Sequence, residues 1–224
     1  MDADRHFDPE LFEWILSLPL YDASTCTRLS SEPGVYFVVE EGELFRTGGV
    51  SRERIVRVGR AESLIQRIAG DHYLVMPQLA RRPKTAHAGS VFRLHVGGAW
   101  LRRHKRLRDA ELWQAKRIDM PVVEEVVSDY LHKSTGFHVA EGWHELEKFL
   151  IASMAAWRLK PSPGWLGRWA RNPVVSRCGL WNVQHVAGPR LSNDQRSSLL
   201  NSQFTPSAEP LEEGNYERSR DDPV

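Results

Sequence analysis

Two short apolar runs and the helix that follows them constrain this chain more than any other feature. Gly34 to Val39 follows Pro33, is rich in β-branched and aromatic residues, and reads as a strand. Glu40-Glu41-Gly42-Glu43 reads as a turn, Leu44 and Phe45 as the start of a return strand, and Gly48-Gly49 as a loop. A third strand, Ile55 to Val58, closes on Gly59, and a short helix from about Ala61 to Ala69 turns Leu64, Ile65 and Ile68 inward. The period of two along a strand puts Val35, Phe37 and Val39 on one face and Tyr36 on the other. By the same rule Val56 and Val58 share a face and leave Arg57 opposite them. Paired as a meander, the three strands would set Tyr36 and Arg57 on one non-core surface. On the helix Arg60, Ser63, Arg67 and Asp71 fall at i, i+3, i+7 and i+11, a polar stripe.

Around this unit the chain reads as mostly helical. Asp8-Pro9 followed by Leu11, Trp14, Ile15 and Leu18 predicts a capped amphipathic helix that ends before Pro19. Residues 75–89, with prolines and basic residues, read as a loop. Helical spacing resumes at Ser90, where the Gly97-Gly98 pair either weakens the helix or lets something pack closely against it. Pro121 opens another helix, Gly136 to Val139 reads as a strand, and a stronger helix runs from about Trp143 to Trp157, ended by Pro161 and Pro163. The expected organisation is an N-terminal helix and lead-in over 1–32, one α/β (α+β) domain over 33–188, and a loose or disordered tail over 189–224.

Charge is distributed unevenly. Residues 1–50 hold 3 Lys/Arg against 10 Asp/Glu, whereas residues 52–108 hold 14 against 3, together with His72, His87, His95 and His104. A segment this basic points to a polyanion partner, nucleic acid above all, and Arg57, Arg60, Arg93, Arg102 and Arg103 are its candidate contacts. Residues 161–190 hold 4 Lys/Arg and no acidic residue. No apolar run approaches the roughly 20 residues of a membrane span, and the polar N-terminus is unlike a secretory signal. Cys26 and Cys178 lack ligand-like spacing and read as reduced thiols of a cytoplasmic protein.

The polar face carries residues suited to phosphodiester chemistry. A guanidinium grips phosphate oxygens bidentately and stabilises the added charge of a pentacovalent transition state, a task for Arg67 and Arg57. His72 can move a proton or hydrogen-bond the Tyr36 hydroxyl. Glu147 lies at the edge of the Leu146/Leu150 stripe, where a carboxylate can hold a magnesium ion. Against these stand plain readings: a structural strand tyrosine, a surface Arg67–Asp71 pair, and a solvated helical glutamate. Glu145 is turned well away from Glu147 and is not its partner. His144-Glu145-Leu146-Glu147-Lys148 lacks the second histidine of a zinc helix, and the spacing of His132, His138 and His144 suits no metal site.

In order along the chain, Gly34-Val35-Tyr36, Val58-Gly59, Leu64 and Arg67 resemble the GIY half, the YIG half and the arginine helix of GIY-YIG nucleases. Ser90 to Ala99 continues the likeness, and Leu146-Glu147-Lys148-Phe149-Leu150-Ile151 is similar to the glutamate helix of the family. Ser162 to Gly167 and Gly179-Leu180-Trp181-Asn182-Val183 resemble the tail of bacterial members. The resemblance spans roughly residues 33–186. It implies a small antiparallel three-stranded sheet flanked by helices and a magnesium-dependent DNA endonuclease. Carried over, it implies Tyr36 assisting water deprotonation, Arg67 on the scissile phosphate, His72 in a proton relay and Glu147 holding the metal ion. Three positions depart from the family pattern. Arg57 stands at the second tyrosine, His72 lies five residues after Arg67 in place of four, and the family asparagine falls on Asn172 or Asn182, with Gly164 a further position for it. The alternatives are a non-catalytic nucleic-acid-binding protein that keeps the fold, or a protein-interaction module built on the Trp165/Trp169/Trp181 region and the acidic N-terminal helix.

Overall fold

A computed structural model describes residues 6–47, 49–80, 86–117 and 119–202. Its centre is a long antiparallel hairpin of β2 (Gly34–Thr47) and β3 (Val50–Ala61). β4 (Thr135–Glu141) pairs with the other edge of β2, and the two-residue β1 (Leu20–Tyr21) pairs with β4. The sheet order is β1-β4-β2-β3.

The expected helix-flanked antiparallel sheet is present, with a different strand count and route. Glu40 to Glu43 is no turn. β2 continues through it with a register shift between Val39 and Leu44, and Gly42 at φ 78° takes up the irregularity. Buried carboxylates explain why the strand goes on. Glu43 pairs with Arg54 of β3 at 2.6 Å, and Glu40 accepts hydrogen bonds from Trp181 Nε1 at 2.6 Å and the Tyr130 hydroxyl at 2.9 Å. A second shift, between Val38 and Val39, leaves Val56 without a partner on β2. Such a bulge turns two consecutive residues to the same side, so Val56 joins the core cluster of Tyr36 while Ile55 and Val58 join the opposite one. The expected shared face of Val56 and Val58 is lost for this reason.

Both faces of the sheet are covered. On one side α1 (Pro9–Ser17) and α6 (Glu147–Trp157) pack against Val35, Phe37, Ile55 and Val58. Asp8 caps α1 by accepting the Leu11 N–H at 3.0 Å, and Leu11, Phe12 and Ile15 of that helix are buried in the same cluster as Val35, Phe37 and Val58. On the other side lie α3 (Val91–Arg103), α4 (Leu107–Gln114) and α5 (Pro121–Ser134), which follow a short α2 (Ala86–Gly89). Gly97 admits α4, because a Cβ there would fall 2.6 Å from the Trp113 ring. Tyr36 and Arg57 do share a face, as expected, but it is this helix-covered one, and Tyr36 is 2% exposed.

The Trp-rich segment folds onto the hairpin. Trp165 and Trp181 are core residues, and Arg54 reaches from β3 to the Gly179 carbonyl and lies over the Trp165 ring. α7 (Pro173–Cys178) follows, capped by Asn172. The loose tail expected from residue 189 does not describe 189–202. α8 (Asn193–Asn201) carries a Ser192 capping box, buries Leu199, and ties Arg196 to Asp8 of α1. Residues 1–5, Gly48, 81–85, Ile118 and 203–224 lie outside the described residues.

Burial raises the Glu40 carboxyl to about 7, against the opposing pull of its two hydrogen-bond donors. The folded protein therefore binds a proton between the ordinary carboxylate range and about 7 that the unfolded chain does not. Stability from this group is present below that window and falls as pH rises through it. Thermal melts of wild type and Glu40→Gln should diverge in favour of the variant between about pH 5 and pH 8, by on the order of 3 kcal/mol at most. Parallel pH profiles for the two proteins would contradict the assignment.

Candidate active site

β2 sets the Tyr36 ring opposite Gly59, the two being register partners. A Cβ at Gly59 would fall 2.2 Å from the ring carbon that bears the hydroxyl, so only glycine leaves the ring its place. From there the Tyr36 hydroxyl lies 2.9 Å from His72 Nε2. His72 is buried, stacks on Phe137 with centroids 5.7 Å apart, and sets Nδ1 2.7 Å from Ser90 Oγ. Ser90 caps α3 by accepting the Arg93 N–H at 3.2 Å, which fixes the hydroxyl that faces the imidazole.

The helix after β3 explains the spacing of five. Gln66–His72 is a π-helix, closed by the Tyr73 N–H donating to the Ile68 carbonyl at 2.8 Å. A π-turn holds one residue more than an α-turn. Five residues therefore do here what four do in an α-helix, and Arg67 and His72 line the same cleft. Asp71 is drawn inside, 1% exposed, where it accepts from Arg67 NH1 at 2.9 Å. The pair is thus an interior one and not the surface pair of the plain reading.

Arg57 and Arg67 each keep a buried Nε with no hydrogen-bond partner among the described residues. Arg57 lies over the Phe92 ring at 5.3 Å with NH1 3.5 Å from the Trp181 carbonyl. Unpaired buried donors are rare because each loses its water without replacement, so two beside one cleft suit an anion. The same cations act on the histidines. Burial first, then Arg67, Arg57 and Arg93, holds His72 well below its usual range, and burial with Arg57 lowers His95 to about 4.

Glu147 is the first residue of α6, after a 3-10 turn at His144–Leu146, and faces the cleft with Oε2 3.7 Å from Arg60 Nε. Asn182 closes the free edge of β3: Oδ1 accepts the Val58 N–H at 3.0 Å and Nδ2 donates to the Val58 carbonyl at 2.8 Å. Of the two candidate asparagines, Asn182 lines the cleft, whereas Asn172 caps α7. Tyr36, Arg57, Arg60, Arg67, His72, His95, Glu147 and Asn182 thus border one cavity of about 440 Å³.

Three of the expected nucleic-acid contacts lie elsewhere. Arg93 is fully buried and donates to Glu124, Ser128 and the His72 carbonyl, so it braces the site and presents no surface. Arg102 and Arg103 sit at the far end of α3, the latter over the Trp169 ring at 5.0 Å. Ser90 and His95 were missed as site residues. The Ser90 cap position before α3 was a usable signal for the first, and His95 could be found only as one histidine among several in a basic segment.

Among the described residues no group of three or more His, Cys, Asp or Glu side chains could hold a metal ion. A single carboxylate, Glu147, in a cleft that Arg57, Arg60 and Arg67 also line nonetheless fits magnesium, which takes one or two carboxylates plus substrate oxygens and keeps several waters. Cys26 and Cys178 are free thiols, and no described helix is long and apolar enough to cross a membrane.

Comparison with known proteins agrees with this geometry at the level of the family. No curated protein and no solved structure matches the chain significantly. A family model described as GIY-YIG domain matches residues 18–203, from β1 through α8. With most of its length inside that match, the chain belongs to the GIY-YIG domain family, a family of nuclease type.

Proposed function

We propose that the protein is a magnesium-dependent endonuclease that hydrolyses DNA phosphodiester bonds in the cleft of Tyr36, Arg67, His72 and Glu147. The observation that carries this reading is the hydrogen-bonded chain from Tyr36 to His72 to Ser90, at 2.9 and 2.7 Å, opening beside two guanidiniums whose Nε–H groups have no partner among the described residues. With Nδ1–H donating to Ser90, Nε2 is free to accept the Tyr36 proton, so the phenol oxygen can take a proton from attacking water. Arg67 and Arg57 receive the scissile phosphate and its growing charge.

Arg57 cannot relay a proton as a tyrosine would, but it has an electrostatic role. Together with Arg67 it suppresses the basicity of His72 in the free protein. A phosphate bound between the two guanidiniums cancels that charge, so the imidazole becomes a better proton acceptor once substrate is in place. Glu147 would hold the magnesium ion, which supplies charge stabilisation at the leaving oxygen. The free thiols suit a cytoplasmic setting.

Incubation with supercoiled plasmid tests the reading. Nicking in magnesium and none in EDTA is the expected result. Salt-sensitive DNA binding without nicking under any divalent cation would instead make this a nucleic-acid-binding protein that keeps the fold and has lost the chemistry.

A further inference from the structure

The chain from Arg158 to Arg190 carries six Lys/Arg and no Asp or Glu. Part of that charge is gathered outside the cleft described above. Arg158, Lys160, Arg168 and Arg177, with Ser176, border a separate open cavity of about 620 Å³ at the C-terminal end of α6. Among the described residues no carboxylate lines it, and none of the four cations makes an ion pair or a side-chain hydrogen bond. A helix C-terminus attracts cations through its exposed carbonyls. Here, however, none of the four donates to a carbonyl of α6, so closing the helix does not explain them.

We propose that this cavity is a second phosphate-binding site, which takes the backbone of the same DNA whose scissile phosphate lies in the cleft. α6 joins the two sites, with Glu147 at its first residue and Arg158 just past its last. Eleven residues at 1.5 Å each put them roughly 16 Å apart along the helix, about five base-pair steps of 3.4 Å. A path of matching chemistry connects them. The active cleft shares His95 and Val183 with a neighbouring pocket that Arg171 lines at the start of α7, and Ser176 and Arg177 lie at the other end of that helix. Clustered cations with no partner repel one another, and a polyanion laid across them releases its counterions on binding. The site recognises phosphate spacing and not base identity.

This inference rests on DNA being the substrate of the cleft, and its test separates the two. The full chain and the double variant Arg168→Gln/Arg177→Gln are titrated with a duplex of about 25 base pairs in EDTA, over a range of salt, and assayed for plasmid nicking in magnesium. Both side chains are exposed, so the melting temperature should not change. The expected result is Kd weakened roughly tenfold and a log Kd against log salt slope shallower by about 1.8, which is two lost contacts. Unchanged Kd and slope in a variant that still nicks plasmid would overturn the second site and leave the catalytic reading standing. Wild type that binds with the full slope and never nicks would do the reverse. Anionic lipid vesicles form the last arm: loss of vesicle binding by the variant with DNA binding intact would assign the patch to membranes and overturn the proposal.

Discussion

Tyr36→Phe should lower the plasmid-nicking rate by roughly 10²–10⁴-fold, the usual contribution of a positioned acid–base group, with DNA affinity near wild type. The ring keeps its place, since its bed of Gly59 and Phe137 is apolar and unaffected by the change. Only the hydroxyl is lost, and with it the 2.9 Å contact to His72 Nε2. That nitrogen is then left unpaired in the interior, which costs about 1–3 kcal/mol of stability. A companion pH profile reads the state of His72. Its depressed basicity keeps the imidazole neutral through the ordinary histidine range. The acid limb of kcat/KM due to this group should therefore lie below about pH 6.5. Stability should change in the opposite sense to the Glu40 effect. Buried neutral His72 favours folding above the ordinary histidine range, and that contribution is lost as the pH falls through it and the unfolded chain takes up protons.

The hairpin was readable because alternation of apolar residues and a terminal glycine are local signals. Tyr36, Arg57 and Gly59 came out on one face as period two requires. The turn at Glu40–Glu43 was misread for an equally physical reason. Three glutamates around a glycine look like solvent-exposed chain, and only distant partners make two of them interior. Those partners are Arg54 for Glu43, and Trp181 and Tyr130 for Glu40. Sequence separations of up to 141 residues leave no trace in a local pattern. The bulge at Val56 escaped similarly, since its carbonyl is claimed by the Trp181 N–H at 2.7 Å.

The site divides along the same line. Tyr36, Arg67, His72 and Glu147 could be named from motif order, and they line one cleft. The spacing of five between Arg67 and His72 departs from the family's four, and the π-helix that the chain forms there brings both side chains to the cleft. Arg93 was assigned to nucleic acid on charge alone. Its fate depends on Glu124, 31 residues away, which neutralises it in the interior. Charge in a sequence is visible; its burial is not.

Glu147→Ala has an effect of a different kind. Among the described residues the carboxylate at the start of α6 is the one acidic side chain that borders the cleft, and its one ion pair there is with Arg60 at 3.7 Å, a half-exposed pair worth little to stability. Removing it should therefore leave the fold intact and, by taking negative charge from a phosphate site, should not weaken DNA binding. Catalysis should still be lost, because the proposed mechanism gives this carboxylate to the metal and, among the described residues, no other acidic side chain borders the cleft to replace it. The decisive measurement is nicking of supercoiled plasmid in magnesium by wild type and Glu147→Ala, with duplex affinity of both read in EDTA. Nicking by wild type alone, at matched affinity, is the predicted result; a variant that nicks at the wild-type rate would contradict the account.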